Sequence, residues 1–261
     1  LLRRDLPEII ARLAALPGPP DLALTSNGVL LARDAAALAA AGLKRITVSL
    51  DALDPKVFRV MSGDRGHVEE VLAGLQHAAR AGLAPIKINC VVQRGVNESE
   101  VLPLVEYCRA HGYLPRFIEY MDVGTCNRWQ MAAVVPSREL LARIHARYPL
   151  EPLQSAYRGE VAERYRFVDG TGEVGFISSV SQPFCGDCTR ARLSADGHLY
   201  TCLFGRSGRD LRTLLRSGAG DAAVREAVTA VWRARIDRYS EERQPSEQAR
   251  DGRVEMYRIG G

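Results

Sequence analysis

Leu6, Ile9, Ile10, Leu13 and Leu16 recur at three- and four-residue intervals, which predicts an amphipathic helix at the start of the chain. Asp5 and Glu8 have capping-box spacing, and Pro7 is tolerated in a first turn. Pro17-Gly18-Pro19-Pro20 stops the helix. A repeated unit comes next. Apolar runs at 22–25, 45–50, 86–92 and 116–120 read as strands. Periodic stretches at 31–41, 67–81 and 98–111 read as helices, the second with Val68, Val71, Leu72, Leu75 and Ala79 on one face. Ala41-Gly42-Leu43, Ala81-Gly82-Leu83 and His111-Gly112-Tyr113 each put glycine where a left-handed C-cap is wanted. Alternating strands and helices predict a parallel sheet, in an α/β barrel or a doubly wound open sheet.

Two strands carry a further signal. Ile46, Val48 and Leu50 alternate with Thr47, Ser49 and Asp51, and Ile86, Ile88 and Cys90 alternate with Lys87 and Asn89. A parallel strand covered on both faces is nearly all apolar. One polar face on successive strands favours a barrel with a ligand-lined interior over an edge strand with one wet face. Lys87, between Ile86 and Ile88, is costly to bury without an anion. That anion is either a carboxylate such as Asp51 or Glu119, or a ligand phosphate. Thr25-Ser26-Asn27-Gly28 ends a strand with hydroxyl and amide groups, a pattern that is more often only a turn.

After Tyr120 the repeat fades. Residues 121–127 form a loop at the C-terminal end of a strand, where α/β barrels place their chemistry. Residues 137–148 read as helix, 173–178 as a strand, and 210–215 and 221–236 as helices. The run from Tyr239 is charged and poor in core residues. With 261 residues, 46% apolar and 25% charged, the composition is that of a globular chain of one large or two small domains. The formal charge of +4 does not amount to the concentrated basic face of a nucleic-acid binder. No apolar run approaches the ~20 residues of a membrane span. Leu1-Leu2-Arg3-Arg4 shows no signal-peptide pattern, so a cytoplasmic location is expected.

Three of the six cysteines fall in Cys185-x2-Cys188-x13-Cys202, which reads as a metal site and not as a disulfide framework. Cys90, Cys108 and Cys126 lack ligand spacing and read as small buried hydrophobes or incidental thiols. Two metals fit the triplet. Zinc would recruit His198 as a fourth ligand in a structural Cys3His site. An iron–sulfur cluster would use three thiolates and leave one iron open. Arg190 and Arg192 come after Cys188 at alternate positions, so on an extended strand they share one side. Paired guanidiniums suit a phosphate group, whereas a lone Arg-x-Arg is usually a solvated strand face.

These stretches together resemble the GTP 3′,8-cyclase family of radical S-adenosylmethionine enzymes. The resemblance is carried by Thr25-Ser26-Asn27-Gly28, Val48-Ser49-Leu50-Asp51, Lys87-Ile88-Asn89, and Arg116 through Met121. It continues through Gly175-Phe176-Ile177-Ser178-Ser179-Val180-Ser181, the cysteine region to Phe204, and the terminal Gly260-Gly261. It implies an α/β fold, an incomplete (β/α)6 barrel in residues 1–135, here without its first strands. A C-terminal α+β region in 136–261 would hold a second iron–sulfur cluster. The implied activity is the radical conversion of GTP in the first step of molybdenum-cofactor biosynthesis, with S-adenosylmethionine and [4Fe–4S] clusters as cofactors. Cys185, Cys188 and Cys202 match ligands of the cluster that faces the purine. Thr25, Lys87, Arg116, Arg190, Ala191 and Arg192 match GTP contacts, and Ser49 and Met121 match S-adenosylmethionine contacts. Arg190, Arg192, Gly260 and Gly261 are the implied catalytic positions, the glycines as an active-site tail. The family also implies a homodimer, and a cyclic pyranopterin monophosphate synthase that takes the product.

One departure stands out. The family's Cys-x3-Cys-x2-Cys and Gly-Gly-Glu-Pro motifs are not among these 261 residues, and Leu1-Leu2-Arg3-Arg4-Asp5 matches the residues directly after the second motif. The expectation is a fragment that lacks the radical-generating cluster and is inactive alone. The alternative from the residues is a zinc-stabilised, nucleotide-binding module without radical chemistry.

Overall fold

The computed structural model describes residues 1–124, 127, 129–243 and 254–259. The chain divides into two compact units. The first comprises 1–119, 135–156 and 162–178; the second comprises 120–134, 157–161 and 179–261.

The first unit runs α1 (Leu6–Ala14), β1 (Ala23–Ser26), α2 (Leu31–Ala40), β2 (Arg45–Ser49), α3 (Pro55–Ser62), α4 (Val68–Arg80), β3 (Ile86–Val92), α5 (Val101–His111) and β4 (Leu114–Glu119). It continues with α6 (Ser137–Arg147), β5 (Leu150–Pro152), β6 (Glu163–Phe167) and β7 (Glu173–Ile177). One seven-stranded sheet has the order β1-β2-β3-β4-β7-β6-β5. β1 to β4 and β7 are parallel; β6 and β5 add an antiparallel arm. The fold is therefore mixed α/β with a mainly parallel sheet. The antiparallel arm escapes a hydrophobic-pattern reading because β6 is Glu-Arg-Tyr-Arg-Phe. Its arginines pair across the arm instead, Arg164 with Glu173 at 3.0 Å and Arg166 with Glu151 at 2.6 Å.

The repeated helix ends are built as their sequence requires. Gly42, Gly82 and Gly112 all have positive φ. The next amide in each case bonds back five residues, Leu43 to Leu38, Leu83 to Ala78 and Tyr113 to Cys108. Each leaves a left-handed residue, where glycine has no steric cost, and then buries an apolar side chain. The capping box expected at Asp5 and Glu8 does not form. Arg3 takes the Asp5 carboxylate at 2.6 Å, and Arg12 takes Glu8 at 2.5 Å. A reciprocal arm appears instead at α4, where the Glu70 carboxylate accepts the His67 N–H at 2.9 Å. The short α3 is absent from the apolar pattern because only Phe58 is buried. Its start is set by Asp54, whose carboxylate accepts the N–H groups of Lys56 and Val57.

The second unit has a small antiparallel sheet of β8 (Arg192–Leu193), β9 (His198–Tyr200) and β10 (Arg209–Asp210), with α7 (Arg212–Arg216), α8 (Asp221–Arg233) and α9 (Met256–Ile259). Its apolar core is thin: Trp129, Val134, Leu199, Tyr200, Phe204, Leu211 and Ile259 are buried. A buried ion pair adds to it. Arg243 Nε donates to Asp122 at 2.9 Å, with only 5% and 2% of the two side chains exposed. Tyr239 donates to the other Asp122 oxygen, and Arg243 also reaches the Ser179 carbonyl at 3.1 Å.

The α2–α4 contact depends on Gly74. A Cβ there would lie 2.7 Å from the Gly28 carbonyl oxygen and 3.0 Å from Leu31 Cβ. Gly74→Ala should therefore destabilise the protein by about 1–3 kcal/mol through overpacking. The ~1 kcal/mol that alanine gains in helix propensity offsets part of this, but the 2.7 Å contact is with a backbone oxygen that cannot easily move aside. A urea denaturation midpoint at or above that of the parent would contradict this packing.

Candidate active site

In the first unit, strand register sorts the polar residues into two rows. Thr25 pairs with Thr47, and Thr47 with Lys87. One step toward the C-terminal strand ends, Ser49 pairs with Asn89, Asn89 with Arg116 and Arg116 with Gly175. Because side chains on a strand alternate faces, both rows lie on one face of the sheet. Arg116 is aimed by two neighbours. Its Nε donates to Asn89 Oδ1 at 2.8 Å and its Nη2 to Thr47 Oγ1 at 3.3 Å. Gly175 makes room for it, since a Cβ there would sit 3.2 Å from Arg116 Cγ. Lys87 is half-buried and lies in the field of Asp21. Asp21 is held below the usual carboxylate range first by its hydrogen bonds from Arg45, with Lys87 adding to the effect. Asp51 continues the polar face at the end of β2. Val91 N–H donates to its carboxylate at 2.8 Å, and its carbonyl accepts from Asn97 Nδ2 at 2.8 Å. Burial pushes its pKa up to about 6, against that single backbone hydrogen bond.

In the second unit, a hairpin explains the long gap in the cysteine pattern. Arg192 pairs with Tyr200 and Leu193 with Leu199. The turn between them is closed by Ser194 and Gly197 backbone bonds. Continuing that register would set Arg190 opposite Cys202. Cys185 to Asp187 form a single 3-10 turn, closed by Cys188 N–H on the Cys185 carbonyl at 3.2 Å. The three cysteines are free thiols, and all are half-buried. Arg190 and Arg192 are half-buried between exposed Thr189, Ala191 and Leu193, and Arg192 lies in the field of Arg190.

Charge couples these groups. Arg190 Nε donates to Cys188 Sγ at 3.4 Å, and its guanidinium stands 5.2 Å from the Phe184 ring centroid. Burial pushes the Cys188 thiol up. The Arg190 backbone N–H, the Arg190 guanidinium and the Arg235 charge outweigh it, so the net shift is downward. Burial also pulls Arg192 below its usual range, as does Arg190. Cys188 and Cys202 oppose this. Cys202 is raised by burial, although Phe204 N–H donates to its sulfur at 3.4 Å.

This donor set fits a three-thiolate centre. His198 is the first residue of β9, and its Nδ1 lies 3.4 Å from Asp196 Oδ1. Among the described residues no three His, Cys, Asp or Glu side chains converge on a single-ion position. A cluster takes its thiolates at separate iron corners. Cys90 and Cys108 are buried in the first unit's core, and burial pushes both thiols up, Cys108 to about 12. Both read as structural. Met121 is half-buried in the second unit, where its carbonyl accepts from Asn127 Nδ2 at 2.8 Å. Cys126, Gly260 and Gly261 lie outside the described residues.

Comparison with known proteins accounts for both halves of the sequence. Residues 1–108 match the family model of the Radical SAM superfamily, and residues 115–241 match that of Molybdenum Cofactor Synthesis C. These matches define the class: a radical S-adenosylmethionine protein with a molybdenum-cofactor-synthesis region. A GTP 3′,8-cyclase of Xanthomonas axonopodis pv. citri is 60% identical over 261 residues, covering all of this chain and 77% of the relative. One from Acidothermus cellulolyticus is 53% identical over 92% of this chain and 68% of its own length. One from Staphylococcus aureus is 41% identical over all of this chain and 77% of its own. The chain belongs to the GTP 3′,8-cyclase family. Among the described residues no helix is long and apolar enough to cross a membrane.

Sequence reasoning singled out Arg116 but not the residues that aim it. Thr47 and Asn89 were visible as polar positions on alternating strands. Gly175 carried the signal of a glycine inside a strand, which marks close approach of another group. The buried Asp122–Arg243 pair had no such signal, because Arg243 sits in a charged run that reads as solvated.

The raised Asp51 pKa has a direct consequence for stability. Between the usual 3.8 and about 6, the folded chain keeps a proton that the unfolded chain has lost, so stability falls as pH rises through that window. Asp51→Asn keeps an oxygen for Val91 N–H and removes the buried charge. It should match the parent in urea midpoint near pH 4 and exceed it at pH 8, by up to about 3 kcal/mol. An equal offset at both pH values would contradict the burial argument.

Proposed function

We propose that this chain serves the conversion of GTP to (8S)-3′,8-cyclo-7,8-dihydroguanosine 5′-triphosphate, the first step of molybdenum-cofactor biosynthesis. The observation that carries the reading is the hydrogen bond from Arg190 to Cys188 Sγ, with Arg192 in the field of Cys188 and Cys202. Cys185, Cys188 and Cys202 would hold a [4Fe–4S] cluster through three thiolates, and an iron without a protein ligand would be available to the purine. The lowered Cys188 pKa favours the thiolate that ligation requires. S-adenosylmethionine, when bound, would supply the radical chemistry that starts the cyclisation.

The chain's own residues bind and orient. Arg190, Ala191 and Arg192 are assigned to GTP, the guanidiniums for their bidentate fit to anionic oxygens. Thr25, Lys87 and Arg116 are assigned to GTP as well, with Arg116 fixed in advance by Asn89 and Thr47, which limits the rotamer freedom it loses on binding. Ser49 and Met121 are assigned to S-adenosylmethionine, and Gly260 and Gly261 to an active-site tail. We read the parallel strands as part of an incomplete (β/α)6 barrel, with residues 1–135 as its region and 136–261 as the cluster-bearing region. The polar face of β1 to β4 supports a ligand-lined interior. A cytoplasmic homodimer whose product passes to cyclic pyranopterin monophosphate synthase completes the proposal. The zinc-module reading would need His198 as its fourth ligand through Nε2, since Nδ1 lies near Asp196.

GTP binding to the anaerobically reconstituted chain tests the assignment. Arg192→Ala and Arg190→Lys should each weaken binding about 10- to 100-fold, the loss of a charge-assisted or bidentate contact. Unchanged affinity in both would remove the anion-clamp role.

A further inference from the structure

We propose that the run 235–243 is a strap that holds the three-cysteine centre in shape, with Arg235, Asp237 and Glu241 as positioning residues. The proposal rests on the cluster reading above. The cysteine-bearing segments have little structure of their own. Cys185 and Cys188 share one 3-10 turn, and Cys202 lies two residues past the end of β9. A cluster held by three thiolates needs those segments at fixed spacing before metal arrives, and their local backbone bonds are too few to impose it.

The strap supplies the missing constraints from both sides. Arg235 Nη1 donates to the Cys188 carbonyl at 2.6 Å. Asp237 Oδ2 accepts from Thr201 Oγ1, next to Cys202, at 2.5 Å. Glu241 Oε1 accepts the N–H of Gly186, between Cys185 and Cys188, at 3.1 Å. Arg238 Nε holds the other Glu241 oxygen at 2.6 Å, so that carboxylate is pinned at both ends. Arg235 Nε lies 3.6 Å from Asp237, which joins the two arms through one ion pair.

The strap is itself anchored. The amides of Glu241 and Glu242 both close on the Arg238 carbonyl. Tyr239 and Arg243 bind the buried Asp122, and Tyr239 packs on Phe204 with ring centroids 4.4 Å apart. Phe204 in turn donates its N–H to Cys202 Sγ. Every cysteine-bearing segment is thus tied to one nine-residue run. Outer partners of this kind orient metal ligands, and their loss commonly costs 10- to 100-fold in metal affinity.

The test uses the full 261-residue chain with Glu241→Gln, Asp237→Asn and Arg235→Ala. In the metal-free protein, amide exchange across 184–190 should quicken about 10-fold in Arg235→Ala, which deletes its bond to the Cys188 carbonyl, and less in Glu241→Gln, which keeps an acceptor for Gly186 N–H but loses the charge. After anaerobic reconstitution, iron release to a chelator should quicken about 10-fold or more in each variant. The Asp237→Asn, Thr201→Val double variant should lose iron no faster than the worse single one. At equal iron loading, Asp237→Asn should alter the EPR line shape of the reduced cluster, which a general loss of stability would leave intact. Arg166→Ala, which breaks an exposed ion pair on the first unit, is the control and should match the parent. Exchange, iron release and line shape indistinguishable from the parent, in variants that fold, would overturn the strap alone. A parent that takes up no cluster would overturn the cluster reading and the strap's role with it.

Discussion

Two guanidinium groups, Arg190 and Arg192, stand in each other's field beside the thiols of Cys188 and Cys202. Arg192 is pulled down by burial and by Arg190, and Cys188 and Cys202 pull it back. The dependence runs the other way at Cys188, where Arg190 offsets the burial of the thiol. The coupling is closest between Arg190 and Cys188, which share a hydrogen bond. The hairpin provides the means. Its Arg192–Tyr200 register returns the chain after thirteen intervening residues and carries Cys202 back toward Cys188.

The first unit solves a different problem, that of keeping polar side chains on a parallel sheet. Matched register puts Thr47, Asn89 and Arg116 within reach of one another, so these three polar groups are paired before any ligand is present. Gly175 completes the arrangement by giving up a side chain where the Arg116 stem passes. The cost of such a face is visible at Asp51, whose carboxyl is partly desolvated at the end of β2.

The parallel strands and their helices were legible in the sequence because three glycine C-caps and the apolar periods repeat the same local chemistry. The polar face was legible for the same reason, since alternation of period two appears on successive strands. The cysteine triplet and Arg190, Arg192 stood out by spacing alone. The features that were not legible depend on tertiary context. Asp5 and Glu8 had the spacing of a capping box, but nearby arginines Arg3 and Arg12 won the carboxylates. β6 lacks an apolar pattern because it is held by cross-strand ion pairs. The place of His198 at the start of β9, with Nδ1 near Asp196, also follows from the hairpin and not from local pattern. The 235–243 run reads as solvent-facing charge, whereas Arg235 and Arg243 are largely buried and bonded to specific carbonyls and carboxylates.

The central claim is that the three-thiolate centre presents an open iron to GTP beside Arg190 and Arg192. EPR of the reduced, reconstituted 261-residue chain, recorded with and without GTP labelled with 15N in the purine, tests it most directly. The account predicts that GTP shifts the cluster's g-values and that 15N coupling from the purine appears, with both effects lost in Arg192→Ala at the same GTP concentration. GTP bound to the parent with an unchanged cluster spectrum and no 15N coupling would contradict it.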